Sequence, residues 1–191
     1  MFKAVVFFLF INTCVLLAGN LENKFISSVA SLPSELVPYV EKINGIDRKY
    51  FIGKKLLVPP DLASAKNYCP VGKIQKDYLV YDSVIMVYRL HNVFAVYDHG
   101  RLLRWGPITR ARNMKYTTPG NHFVKSKARL MYSRKYGNVP MPYSLHIVGN
   151  VCIHQGPMVG YPASHGCIRL FKDDAVWLYN WARRGTPVII V

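Results

Sequence analysis

A chain of 191 residues that is 51% hydrophobic and 13% aromatic, with 25 Lys and Arg against 10 Asp and Glu, has apolar material enough to bury a core. This excludes the disordered, acidic and low-complexity classes. Beyond residue 20 no run of ~18 apolar residues is free of charge, which excludes a polytopic membrane protein.

Met1-Phe2-Lys3, the apolar run Ala4 to Ala18 and then Gly19-Asn20 have the layout of a secretory signal peptide: a basic start, a short apolar stretch and small residues after it. Leu two positions before each cleavage candidate is a poor match for signal peptidase, so residues 1–19 read as a signal peptide or an uncleaved N-terminal anchor. Either way, the chain is expected in the periplasm or cell envelope. Residues 20–77 carry Pro33, Pro38, Pro59, Pro60 and Pro70, which cut them into short pieces and predict a loop-rich arm. From residue 78 to 191 the pattern becomes that of short strands, at Val84 to Tyr88, Val93 to Tyr97, Leu102 to Trp105, Phe123 to Lys127, Tyr143 to Val148 and Val151 to His154. Asp98-His99-Gly100-Arg101 supplies a hairpin turn. One helix is predicted near the end, capped by Asp173 or Asp174, with Ala175, Leu178, Tyr179 and Ala182 at helical spacing, Arg183 and Arg184 in its last turn and Gly185 ending it. Pro187 to Val191 then reads as a returning strand, and the fold class is mostly β.

Between Asp98 and Asp173 there is no acidic residue, whereas twelve Lys and Arg fall there. Such a cation field suits an anionic surface such as a cell-wall polymer or lipid headgroups. No nucleic-acid motif interleaves it, and export argues against a nucleic-acid partner.

The reactive side chains concentrate in Cys152-Ile153-His154-Gln155-Gly156 and in Ser164-His165-Gly166-Cys167-Ile168-Arg169-Leu170. A cysteine nucleophile acts as its thiolate, so it needs an imidazole nearby. His165 lies two residues from Cys167, on the same face if the segment is extended. His154 would come from a neighbouring strand, across a loop of twelve residues. No carboxylate in the local sequence can orient the imidazole. Unless Asp77, Asp82, Asp98 or Asp173 folds back, a backbone carbonyl must do so. The amides of Gly166 and Cys167 are candidate oxyanion donors, and Arg169 is placed to take a substrate carboxylate through its planar fork. Cys69, Cys152 and Cys167 are an odd set; Cys167 is expected to stay a thiol, and a Cys69–Cys152 disulfide is left open.

The segment 164–170 with its upstream Ile-His resembles the signature of the YkuD family of L,D-transpeptidases. Thr118-Pro119-Gly120-Asn121-His122-Phe123, Met141-Pro142-Tyr143 and Gly185-Thr186-Pro187-Val188 are similar to further family segments, so the likeness spans roughly Val84 to Val191. It implies a YkuD-like antiparallel β-sandwich with a flap over the cleft, beside which the C-terminal helix fits, and neither metal nor organic cofactor. It also implies Cys167 as acylated nucleophile, His154 as general base, His165 as a secondary histidine, and Ser164, Met141, Tyr143 and Arg169 on the substrate side. The implied reaction attacks the diaminopimelate carbonyl of a peptidoglycan stem tetrapeptide, expels D-Ala and transfers the acyl group to an amine. The acceptor could be another stem, a lysine of an envelope lipoprotein, or water. Two departures stand out: Gln155 follows the base, where Gly or Ser is usual, and Asn121 replaces a turn Gly, a place Asn tolerates through the left-handed region.

In the arm, Ile43-Asn44-Gly45-Ile46 and Gly53 to Pro59 resemble the second half of a LysM repeat. The first half is missing, and a plain connecting arm is the alternative. Two readings compete with catalysis: a zinc site of Cys152, His154, His165 and Cys167, and an inactive cell-wall-binding module on the same fold.

Overall fold

In the computed structural model, residues 21–76 and 79–191 are described. The predicted export segment and Asp77 lie outside them. No helix among the described residues is long and apolar enough to cross a membrane.

The arm is loop-rich, yet it has a core of its own. Strand β1 (Glu22–Ile26) pairs antiparallel with β2 (Lys54–Val58), and α1 (Val37–Asn44) packs between them in sequence. Ile26, Val40, Phe51 and Val58 are buried together there. Pro38 sits at the start of α1, where its missing N–H costs nothing, and Gly45 ends the helix in the left-handed conformation. Asn44 ties helix to strand, its side-chain amide donating to Leu57 O at 2.8 Å and its Oδ1 accepting from Leu57 N–H at 2.9 Å. A short helix α2 (Leu62–Asn67), capped by Asp61, leads out of the arm.

The rest is two facing sheets. In the first, the order β5-β4-β3-β11-β6 joins Arg101–Pro107, Val93–Asp98, Ser83–Tyr88, Pro187–Ile190 and Gly120–Phe123. In the second, β10-β9-β8-β7 joins Ile168–Leu170, Val151–Gln155, Val139–Val148 and Ser126–Ser133. Pairing is antiparallel except for β3 with β11 and β9 with β10. Ile85, Val87, Phe94 and Val188 of the first sheet meet Leu145, Ile147, Ile153 and Ile168 of the second, and α3 (Lys172–Trp181) adds Ala175 and Leu178. Val84, Met86, Ala95 and Tyr97 fill the opposite face of the first sheet. Strands covered on both faces read as unbroken apolar runs, which is why the β3 and β4 sequences stand out.

Several local expectations shift. The predicted strand Phe123 to Lys127 straddles the corner between β6 and β7. Asn121 needs no left-handed backbone, since the positive φ falls on Gly120. Neither Asp173 nor Asp174 caps α3; its N-cap is Phe171, with no side-chain bond, and both aspartates lie in the first turn. The helix ends at Trp181, so Arg183, Arg184 and Gly185 belong to the turn into β11.

Asp174 forms a partly buried ion pair instead. It is 5% exposed and accepts from Arg104 Nε at 2.7 Å. Burial raises its pKa, and Arg104 opposes that rise. Gly106 opens the space, since a Cβ there would collide with Asp174 and Phe94. Arg104 keeps 29% of its side chain open to water, so the loss is that of a charge-assisted hydrogen bond, and Asp174→Ala should cost about 2 kcal/mol of stability. Urea denaturation checks this; a loss below ~1 kcal/mol would place the pair with ordinary surface ion pairs.

Candidate active site

The parallel pairing of β9 and β10 builds the site. Ile168 lies opposite Ile153 and Arg169 opposite His154, and Cys167, one step before the paired run, falls beside Cys152. Side chains alternate along each strand, so Ile153 and Ile168 enter the core while Cys152, His154, Cys167 and Arg169 share the other face. Cys152 N–H donates to Cys167 Sγ at 3.5 Å.

His154, 5% exposed, donates its Nδ1–H to Gln155 O at 2.6 Å. A carbonyl only accepts, so the proton is fixed on Nδ1 and Nε2 is left to act as a base. The orienter is thus main chain, as expected in the absence of a local carboxylate, and Gln155 supplies it through its backbone. Among the candidate carboxylates, Asp82 and Asp98 instead flank His99, at 3.8 and 3.4 Å. The Cys167 thiol is held below its ordinary range. The hydrogen bond from the Cys152 thiol is the main cause; burial works against it, and a hydrogen bond with His154 adds to it. Cys152 is pushed up by that same hydrogen bond and by burial.

The loop that carries Cys167 is pinned from three sides. Ser164 Oγ donates to Cys167 O at 2.5 Å and accepts from Gly166 N–H at 3.2 Å. Thr117 Oγ1 donates to Gly166 O at 2.8 Å, and Arg89 holds Thr117 O at 2.8 Å. Gly166 has φ 150°, and a Cβ there would lie 3.4 Å from Tyr116 O. From the arm, Asp47 N–H donates to Met158 O at 2.9 Å and Gly160 N–H to Gly45 O at 3.0 Å.

Several expected roles change here. Gly166 N–H is engaged by Ser164 Oγ, so of the two amides proposed for the oxyanion only that of Cys167 remains. Ser164 is 2% exposed and acts as a latch inside the loop, not as a substrate contact. His165 is exposed and stacks on Tyr136 of the β7–β8 hairpin, with ring centroids 4.4 Å apart, whereas the imidazole bonded to the Cys167 thiol is that of His154. Tyr143, at φ 54°, packs edge-on against Tyr179 of α3 at 5.8 Å, and Met141 is 8% exposed. His165 does not join Cys152, His154 and Cys167, so the four zinc donors do not converge, and no metal-holding group of His, Cys, Asp or Glu is found among the described residues. Arg169 lies over Gly156, where a Cβ would meet its side chain at 2.8 Å, and among the described residues no ion pair engages its guanidinium.

Thr117 and the pairing of Cys152 with Cys167 are not evident from the motif. Thr117 lies one residue before the Thr-Pro segment. Cys152 is legible only through strand alternation, two residues from His154 on the same face.

A sequence model of the YkuD family, described as the L,D-transpeptidase catalytic domain, matches residues 82–190. L,D-transpeptidase 1 of Mycobacterium tuberculosis is 29% identical over 118 residues, covering 52% of this chain and 47% of that protein. The chain thus spans about half the length of the curated relatives it matches. Among solved structures, L,D-transpeptidase 3 from M. tuberculosis, in complex with a faropenem-derived adduct, is 26% identical, covers 57% of this chain and 60% of that one, and gives a TM-score of 0.51. An L,D-transpeptidase from Xylanimonas cellulosilytica, 20% identical, is similar in fold over 81% of this chain and 78% of that one, with a TM-score of 0.61.

Proposed function

This chain belongs to the YkuD family of L,D-transpeptidases, and on that premise we propose that it is a cysteine acyltransferase of the cell envelope that acts on peptidoglycan stem peptides. The observation that carries the reading is the arrangement of Cys167, His154 and the Gln155 carbonyl: a thiol held toward its thiolate beside an imidazole with one tautomer fixed. Cys167 Sγ attacks the diaminopimelate carbonyl of a stem tetrapeptide, and the oxyanion forms against the Cys167 amide. His154 Nε2, which has taken the Cys167 thiol proton, gives it to the departing amine of D-Ala, which leaves a thioester. An acceptor amine, from a second stem or an envelope protein, then releases the acyl group, with His154 taking the amine's proton. The basic stretch between Asp98 and Asp173 favours docking on an anionic wall or membrane surface.

The reading is tested by incubating the protein with disaccharide tetrapeptides and resolving the products by mass. Dimers formed with loss of D-Ala support transfer to an amine. Tripeptides alone would make water the acceptor, and unchanged tetrapeptide would refute the activity.

Arg169 is assigned the substrate carboxylate. Lys keeps the charge but loses the two parallel hydrogen bonds, so Arg169→Lys should lower kcat/KM for tetrapeptide by about 10- to 100-fold. A substrate amidated at that carboxylate should show little difference between the two proteins. An equal loss on both substrates would assign Arg169 to packing over Gly156.

A further inference from the structure

Cys152 is a buried nucleophile that the transfer mechanism does not consume. It is 3% exposed, whereas Cys167 is partly open to solvent. Cys69 is not its neighbour: that thiol donates to Val71 O at 3.1 Å, and no disulfide links the described cysteines. The position opposite Cys152 belongs to Cys167, since the β9–β10 register leads back to that pair and Cys152 N–H already reaches Cys167 Sγ at 3.5 Å. Adjacent strands lie about 4.8 Å apart. A disulfide needs Cα atoms about 4.4–6.8 Å apart and Cβ vectors that do not point apart, and residues that face each other on one side of a parallel pair meet both conditions. The two thiols also differ in character. The accessible one is favoured as thiolate, the form that attacks peroxides, and the covered one keeps its proton.

We infer that Cys152 is a resolving thiol for Cys167, so that the site closes reversibly into a Cys152–Cys167 disulfide under peroxide instead of being oxidised irreversibly. In the first step the Cys167 thiolate attacks a hydroperoxide and the O–O bond breaks. Sulfur loses two electrons to become sulfenic acid, and the departing oxygen leaves as hydroxide or alkoxide, which takes up a proton. In the second step Cys152 sulfur attacks Cys167 sulfur, the S–S bond forms, the S–O bond breaks, and hydroxide leaves with the Cys152 proton as water. With hydrogen peroxide the sum is two thiols and one peroxide giving one disulfide and two waters. A dithiol reductant restores both thiols and is itself oxidised. The disulfide engages the sulfur that must attack substrate, so the consequence for activity rests on Cys167 being the acylated nucleophile; formation of the bond does not.

Trypsin leaves residues 136–169 as one peptide, because no Lys or Arg lies between Lys135 and Arg169. It contains both cysteines, while Cys69 lies elsewhere. The reduced protein is treated with hydrogen peroxide, alkylated and digested, and its carbapenem adduct is followed by intact mass before and after dithiothreitol. The expected result is a peptide about 2 Da lighter with both cysteines unalkylated, adduct formation reduced at least ~10-fold, and recovery of both after reduction. Cys152→Ser, and separately Cys152→Ala, should instead place two or three oxygens on Cys167, located by fragmentation, with no recovery; Cys69→Ser should keep the light peptide. A wild-type protein that gains those oxygens without the light peptide overturns the inference, as does a Cys152 variant that recovers as fully as wild type. A light peptide with undiminished adduct formation would leave the disulfide standing and refute Cys167 as the acylated residue.

Discussion

Cys167→Ala should abolish carbapenem adducts altogether and lower acyl transfer by about 10⁵-fold or more, to the level of substrate binding alone. The size follows from the division of labour at the site. No other described thiol can substitute: Cys152 is covered and protonated, and Cys69 lies against Val71. The fold should survive the change, because Cys167 lies outside the core clusters and its loop is held by Ser164, Thr117 and the arm. Intact mass of both proteins after incubation with the drug, with thermal melting as the control, reads the result. An adduct on the Ala protein would move the nucleophile elsewhere, and equal turnover would refute thiol catalysis.

The second large effect separates the two histidines of the motif. His154→Ala removes the group that accepts and returns the proton, and should lower kcat by about 10³-fold. It also removes one hydrogen bond to the thiolate, so the pH midpoint for alkylation of Cys167 should rise toward the ordinary thiol value of about 8.5. The sign is fixed by the charge change: what favours the thiolate lowers the midpoint, and its loss raises it. His165→Ala should cost no more than about 10-fold, because what it gives up is a ring stack on Tyr136, worth about 0.5–1.5 kcal/mol, and the alkylation midpoint should stay where it was. Rates and alkylation profiles of the two variants side by side decide it. A larger loss at His165 would exchange their roles.

The residues of the candidate site were more legible in the sequence than their support. Cys167, His154 and the need for a main-chain orienter can be read from residue types, because a thiolate site without a local carboxylate leaves few ways to hold an imidazole. Ser164 misled: a hydroxyl inside a reactive motif invites a substrate role, while its actual partners are two backbone groups within three residues. Asp174 misled in the same way, since an acid at a helix start suggests a cap and only the distant Arg104 reveals the ion pair. The strands were clearest where both faces are covered. Strand β7, which buries none of its residues fully, carries no apolar pattern and escapes notice. The arm's hidden core could not be inferred from its prolines, because Pro38 and Pro59 punctuate elements instead of preventing them.

The bridges from Gly45, Ile46 and Asp47 to Met158, Val159 and Gly160 bear on the order of events in folding. They join positions more than a hundred residues apart, and the parallel β9–β10 pairing is itself formed across a loop. Such contacts come late, because the entropy of closing the chain must be met before they return any stability. The two sheets can therefore collapse, and most of the fluorescence of the tryptophans on α3 can change, before the nucleophile is fixed in place. Refolding should pass through a compact form whose thiol is present but unaligned, and the ability to take an acyl group should lag behind the return of native structure by the time the arm needs to dock.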